Sequence, residues 1–274
     1  MRILFVGDIM GRPGRSVLAK ILPSLSSQWK GFDFVVINCE NAAAGKGMTE
    51  KVMEELFAAG VQGMTSGNHI WDKNIFYPAL ASETRIVRPA NYPPGCPGTG
   101  YTILEHNGKR LGLLNLQGRV FMPPLDCPFR AADAALHELE KCASTGIPIL
   151  VDFHAEATSE KKALGIYLDG RVSALVGTHT HVQTADDQIL SRGTAYISDV
   201  GMTGGHGGII GIETENVMSR YLTGLPSKFE VCSSELKINA VVIDIDDDFH
   251  RAVNLTRINE YVDLSEAGPA PRNR

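Results

Sequence analysis

Gly177-Thr178-His179-Thr180-His181 sets two histidines two residues apart, just beyond the apolar run Ser173-Ala174-Leu175-Val176. Such a run reads as a buried strand, and glycine and threonine carry the backbone out of it. If the segment stays extended, residues two apart point to the same side, so His179 and His181 present ring nitrogens to one place. That is the geometry of a metal-ligand pair. An isolated pair of this kind is more often a solvated-loop coincidence, so its meaning depends on partners elsewhere.

Partners exist at other strand ends. The chain carries Asp8 after Arg2–Val6, the pair Glu40-Asn41 after Asp33–Asn38, Asn68-His69 after Val61–Ser66, and His154 after Ile147–Phe153. Alone, Asp8 suits a helix cap or turn, Asn41 and Asn68 suit turns, and His154 suits a hydrogen-bonded core position. Together they form a set, because loops at the carboxyl ends of parallel strands converge on one crevice. Carboxylate, amide oxygen and imidazole without thiolate suit manganese, iron or zinc and are too many for one tetrahedral ion. Two ions sharing a carboxylate would use them all and leave room for water, an arrangement that serves phosphate-ester hydrolysis.

The elements that must position these residues alternate. Arg2–Val6 is a strand, Gly11-Arg12-Pro13-Gly14 a loop, and Val17, Leu18, Ile21 and Leu22 have helical spacing. Asp33–Asn38 is a near-continuous apolar strand of the kind covered on both faces. Thr49 caps a helix with Val52, Met53, Leu56 and Phe57 on its apolar face, and Gly60 stops it. Arg85–Arg88 reads as a strand, and Tyr101–Glu105 and Lys109–Leu116 flank Asn107-Gly108 as a hairpin. A helix over Ala131–Cys142 and another over Ser159–Leu168 bracket the strand that delivers His154. Gln188–Leu190 pairs with Thr194–Ser198, Gly201–Gly208 reads as a glycine-rich loop, Thr214–Leu222 as a short helix, and Leu236–Ile245 with Ala252–Ile258 as a final hairpin. The pattern is α/β with antiparallel additions, and with no repeat or linker it is expected to form one domain over 1–266 with a disordered tail, 267–274.

Composition narrows the function further. With 26 basic against 31 acidic residues and a net charge of −5, the 274-residue chain lacks the basic stripe of a duplex nucleic-acid binder. The N-terminal apolar run is too short for a signal sequence, and no later run could span a bilayer. Five cysteines without a C-x-x-C pair argue against a disulfide framework or thiolate zinc site. A reduced, cytoplasmic protein without membrane partners is expected.

Asp8, Glu40-Asn41, Gly67-Asn68-His69, His154 and Gly177–His181 resemble the ordered motif series of the calcineurin-like metallophosphoesterases. Met10 stands where that superfamily usually has histidine, and Glu40 where it usually has aspartate. Gly7–Gly11, Asn38–Ala42 and Asp199–Gly204 resemble the YmdB-like phosphodiesterase branch, which shares both departures. The resemblance implies a four-layer α-β-β-α sandwich of mixed sheets, activity on cyclic nucleotides such as 2′,3′-cyclic AMP, and a homo-oligomer. Two divalent or mixed-valence ions per chain are expected, iron or manganese before zinc.

Roles can be argued beside it. Glu40 would bridge the ions; Asp8 and His181, with Asn41 in place of the missing histidine, would complete the first, and Asn68, His154 and His179 the second. The expected chemistry is attack of a metal hydroxide on phosphorus, with His69 as the general acid for the departing ribose oxygen. A regulatory protein that binds metal and nucleotide with little turnover is the main rival, kept open by Met10. An amidohydrolase ranks below it, for want of a candidate metal-binding lysine. His206 and the glycine-rich loop are candidates for touching the site, Arg119 and Met122 for reaching substrate or packing a lid. Cys39 is expected in the core, and His106, His137 and His250 at the surface.

Overall fold

A computed structural model describes residues 1–143 and 146–265. The tail 267–274, expected to be disordered, lies outside the described residues. In chain order the elements are β1 (Arg2–Val6), β2 (Asp8–Ile9), α1 (Gly11–Gln28), β3 (Phe34–Asn38), α2 (Glu50–Ala58), β4 (Gly63–Thr65) and α3 (Tyr77–Ser82). There follow β5 (Tyr101–His106), β6 (Lys109–Gln117), α4 (Pro128–Ala143), β7 (Ile149–His154), α5 (Thr158–Leu168) and β8 (Ala174–Thr178). The chain continues through β9 (Gln188–Ile189), β10 (Ala195–Ile197), β11 (Met202–Gly205), α6 (Thr214–Thr223), β12 (Leu236–Ile245) and β13 (Ala252–Tyr261).

Two sheets result. The first runs β2-β11-β12-β1-β3-β4, with β13 on the other edge of β12; the second runs β5-β6-β7-β8-β10-β9. Side-chain alternation decides the layering. In β1, Leu4 and Val6 pack with Val17, Leu18 and Ile21 of α1, whereas Ile3 and Phe5 turn to the opposite face. There they meet Leu111 and Leu113 of β6, Leu150 of β7, and Ala174 and Val176 of β8. The second sheet's other face, with Leu114, Leu116, Val151 and Leu175, is covered by Ala132, Leu136 and Leu139 of α4 and by Leu164 and Leu168 of α5. Helices, sheet, sheet, helices: the expected four-layer sandwich of mixed sheets is present.

The strand order also positions the loops. β1, β3 and β4 are parallel, so the chain leaves all three at one edge; β6, β7 and β8 are parallel in the second sheet. Hydrogen bonds between the sheets bring the two edges to the same end of the molecule. Asn38 Nδ2 on β3 donates to Asp152 Oδ2 on β7 (2.9 Å) and to Thr178 Oγ1 on β8 (3.3 Å).

Several expectations change. Gly11–Gly14 is the first turn of α1 rather than a loop; Pro13 is tolerated because the first N–H groups of a helix have no internal partner. Arg85–Arg88 forms only single bridges, Ile86 to Met64 and Val87 to Thr99, before Pro89. Half of the glycine-rich loop, Met202–Gly205, is a strand: β11 pairs in parallel with β2 and antiparallel with β12. A side chain at Gly205 would strike the Cys232 backbone, so that glycine reflects close packing. Of the histidines expected at the surface, His137 is exposed, but His106 and His250 are half-buried, and His106 Nδ1 contacts the Asp33 carbonyl (2.9 Å). Thr49 caps α2 through the Val52 N–H, and Cys39 is fully buried in the helix-side core, both as expected.

Candidate metal centre

The alternation that fills the space between the sheets continues past its apolar part. Phe34, Val36 and Asn38 share one face of β3; Leu150, Asp152 and His154 share one face of β7; Ala174, Val176 and Thr178 share one face of β8. The inter-sheet core therefore turns polar toward the carboxyl ends, and a layer of Asn38, Thr65, Asn115, Asp152 and Thr178 lies between the apolar core and the candidate ligands. Asp152 is fully buried and accepts from Asn38 Nδ2, Thr65 Oγ1 and Thr178 Oγ1. Burial outweighs these donors and pushes its carboxyl up to about 7.

This layer fixes a tautomer. Thr178 Oγ1 donates to Asp152 Oδ1 (2.8 Å), so it accepts from His154 Nδ1–H (2.8 Å). His154 Nε2 then faces Glu40 Oε2 at 2.9 Å and His179 Nδ1 at 3.1 Å. Three ligand atoms converge there, one each from Glu40, His154 and His179, all within 4.8 Å of one another. Gly67 makes the approach possible: a Cβ at that position would lie 1.9 Å from Glu40 Oε2 and 2.3 Å from His154 Nε2.

A second group lies beside the first. His181 Nδ1 contacts the Ile210 carbonyl (2.9 Å), which in the neutral ring leaves the Nε2 lone pair facing Asn41 Oδ1 at 3.3 Å. Asn41 Nδ2 donates to the Gly45 carbonyl, so its Oδ1 is also an acceptor. Asp8 is fully buried; its Oδ2 accepts the His179 N–H (3.2 Å), while Oδ1 has no hydrogen-bond partner. Asn68 Oδ1 is likewise buried and without a partner. Acceptors facing acceptors, and orphaned buried oxygens, are arrangements that protons alone do not satisfy and cations do. The donor set fits metal ions.

Electrostatics agree. Burial raises the Asp8 carboxyl, despite the opposing pull of His181 and His154. For Glu40 burial pushes the same way but is overcome, above all by the charge of and hydrogen bond from His154, and its value falls to about 2. Burial alone would lower His154, but Glu40 and Asp8 hold it up at about 9, so the two carboxylates favour positive charge here. His179 is pushed down to about 3 by burial and by His154, and is neutral, the form that ligates.

All of the sequence-predicted residues therefore reach this end of the molecule, but not as an extended strand end would deliver them. His179 and His181 have φ of 103° and 65°, so the backbone is left-handed at both and they point to different groups. His179 joins Glu40 and His154; His181 joins Asn41. His69 lies on a single 3₁₀ turn, Asn68–Trp71, and lines the same cavity of about 210 Å³ as Glu40, Asn41, His179 and His181. His206 does not line it: its Nε2 contacts the Met202 carbonyl (3.2 Å). Arg119 and Met122 are also outside it.

The YmdB-like protein family matches residues 4–258 of this chain. The chain belongs to that family. A Bacillus subtilis relative, the 2′,3′-cyclic-nucleotide 2′-phosphodiesterase, is 51% identical over 258 residues, covering 94% of this chain and 96% of its own. Two solved structures superpose with a TM-score of 0.87: a hypothetical protein from Thermus thermophilus (44% identity, 95% of this chain and 99% of that one) and a novel phosphatase from Mycoplasma pneumoniae (32% identity, 95% and 93%).

Three participants in this YmdB-like site escaped sequence reasoning. Asp72 contacts His69 Nδ1 at 2.9 Å; its signal is the three-residue spacing within one turn. Glu156 contacts His179 Nε2 at 3.1 Å, two residues beyond His154. Asp199 is buried against the fully buried Lys161, whose Nζ donates to Asp199 Oδ2 (2.7 Å). Asp199 also accepts the N–H of Thr180 (3.0 Å), between the two histidines, and that of Gly201 (2.8 Å). It holds the left-handed loop in place. Asp199→Asn would leave the Lys161 ammonium buried without its counter-charge. Such a change is expected to cost about 3–5 kcal/mol in denaturant unfolding, with much of it recovered when Lys161→Met is added. Equal stability of the single variant and the parent would contradict the clamp.

Proposed function

We propose that the chain is a metal-dependent phosphodiesterase that hydrolyses small cyclic nucleotides of the 2′,3′ type. The observation that carries this is the convergence of Glu40 Oε2, His154 Nε2 and His179 Nδ1 beside a cavity lined by Glu40, His179 and His69. The name of the Bacillus subtilis relative supports the reaction and substrate class. Glu40 would be shared between two ions, Asp8, Asn41 and His181 would complete one, and Asn68, His154 and His179 the other; iron or manganese suits these donors best, and zinc next. When bound, such ions supply Lewis acidity that activates water and positive charge that offsets the developing negative charge at phosphorus.

The chain's own residues do the rest. His69 receives support at Nδ1 from the Asp72 carboxylate, which leaves Nε2 to donate a proton to the departing ribose oxygen. Lys46, also lining the cavity, brings a cation toward the phosphate. The polar layer around Asp152 keeps His154 in its ligating tautomer. Among the described residues no helix is long and apolar enough to cross a membrane. A cytoplasmic homo-oligomer without membrane or duplex nucleic-acid partners completes the reading, and exposed Met218, Leu222 and Leu225 on and beyond α6 support its oligomeric part.

Assay of the purified protein with Mn²⁺ on bis-p-nitrophenyl phosphate and 2′,3′-cyclic AMP tests the reading. Turnover of both, abolished by a chelator and restored by metal, is expected. Bound metal without turnover of either would overturn it in favour of a regulatory nucleotide-binding protein.

A further inference from the structure

The apolar wall of the cavity has no side chain in the chemistry above. It is made by Ile210, Ile212 and Phe229, and the same three residues line an adjoining cavity of about 350 Å³ with Val217, Arg220 and Tyr221. We infer that this wall and the cavity behind it form the subsite for the substrate's nucleobase. The inference rests on the phosphodiesterase reading and deepens it.

Ile210 is the first observation. Ile209 and Ile212 exchange backbone hydrogen bonds (2.8 and 3.0 Å), and the two residues between them, Ile210 and Gly211, have φ of 45° and 87°. Positive φ at both central positions of a tight turn favours asparagine, aspartate or glycine, and a β-branched residue there is an outlier. Turn chemistry therefore does not account for an isoleucine at this position. The residue is 53% exposed and lines the cavity, while its carbonyl meets His181 Nδ1 (2.9 Å). One backbone kink thus both orients a candidate ligand and places an apolar surface beside it. Strained backbone of this kind points to function.

The second observation is how the wall is held. Ile212 bridges to Val231, Glu213 N–H donates to the Glu230 carbonyl (2.9 Å), and Cys232 N–H donates to the Gly211 carbonyl (2.8 Å). The segment carrying Phe229 is therefore tied to the Ile209–Ile212 turn. The wall is apolar and aromatic apart from Arg220, whose guanidinium lies 5.5 Å from the Phe229 ring centre. A flat heterocycle matches that chemistry: its faces suit Phe229 and the isoleucines, and its edge acceptors suit Arg220. An unsubstituted sugar would leave its polar groups unpaired against the isoleucines.

The test compares kcat/KM on 2′,3′-cyclic AMP with that on the base-free ribose 2′,3′-cyclic phosphate, using the metal-loaded full chain. Phe229→Ala is expected to lower the ratio of the two about 10- to 100-fold, the usual worth of one stacked base, and Phe229→Trp to restore it. Ile210→Asn suits the turn and keeps the carbonyl that meets His181, so it removes only the apolar surface without a folding penalty. It too is expected to lower the ratio. An unchanged ratio in Phe229→Ala and Ile210→Asn, whether both substrates are lost equally or neither is affected, would overturn the subsite while leaving the phosphodiesterase reading standing. A parent enzyme that turns over neither ester would overturn both.

Discussion

Glu40→Gln is expected to remove metal and turnover together. The substitution is nearly isosteric, so packing around this fully buried residue is preserved and only a charge and an acceptor oxygen change. Those two properties place Glu40 at the centre: its Oε2 lies 2.9 Å from His154 Nε2 and accepts the His69 N–H at 3.3 Å, and its charge holds His154 up. A glutamine would neither offset two cations nor share an oxygen with each. Loss of even an outer partner of a metal ligand costs about 10–100-fold in affinity or activity, so a fall beyond about 100-fold is expected here. Metal analysis of the purified variant should show depleted ions in step with the lost rate. Full occupancy at normal rate would contradict the bridging role.

His69→Ala should behave differently. Its side chain is not among the converging ligand atoms, and its hydrogen bond to Glu40 comes from its backbone N–H, which alanine keeps. Metal content should therefore match the parent, while kcat falls by about 10²–10⁴-fold, the usual worth of general acid catalysis. The difference between the variants is what matters: one loses ions and rate, the other rate alone. Metal loss in His69→Ala would instead make it a structural support for Glu40.

Much of this site was legible in the sequence because apolar runs ended in polar residues five times over, and parallel strands must release their loops at one edge. The four-layer architecture followed from the family resemblance and is visible in the phase of β1, β3 and β6. His179 and His181 fall into different groups, in line with their assignment to different ions, but the extended backbone past Thr178 does not hold; the left-handed backbone there is held by the tertiary contact from Asp199. The strand Met202–Gly205 was hidden because its glycines look like a loop until β2 and β12 close around them. The polar layer was readable in principle. Asn38, Asp152 and Thr178 fall in phase with the inter-sheet face, and a continued count of twos would have placed them beneath the histidines. Asp199 needed coordinates, since its contacts to Lys161, Thr180 and Gly201 join parts of the chain that spacing does not bring together, and the three-residue spacing of Asp72 from His69 acquires meaning only once the 3₁₀ turn is seen.

The most direct test is an anomalous-difference map from crystals of the full chain grown with Mn²⁺ and measured at the manganese edge. Two peaks are expected, one against Asp8, Asn41 and His181 and one against Asn68, His154 and His179, with Glu40 touching both. A single peak, or two that do not share Glu40, would contradict the two-ion centre on which the proposed function rests.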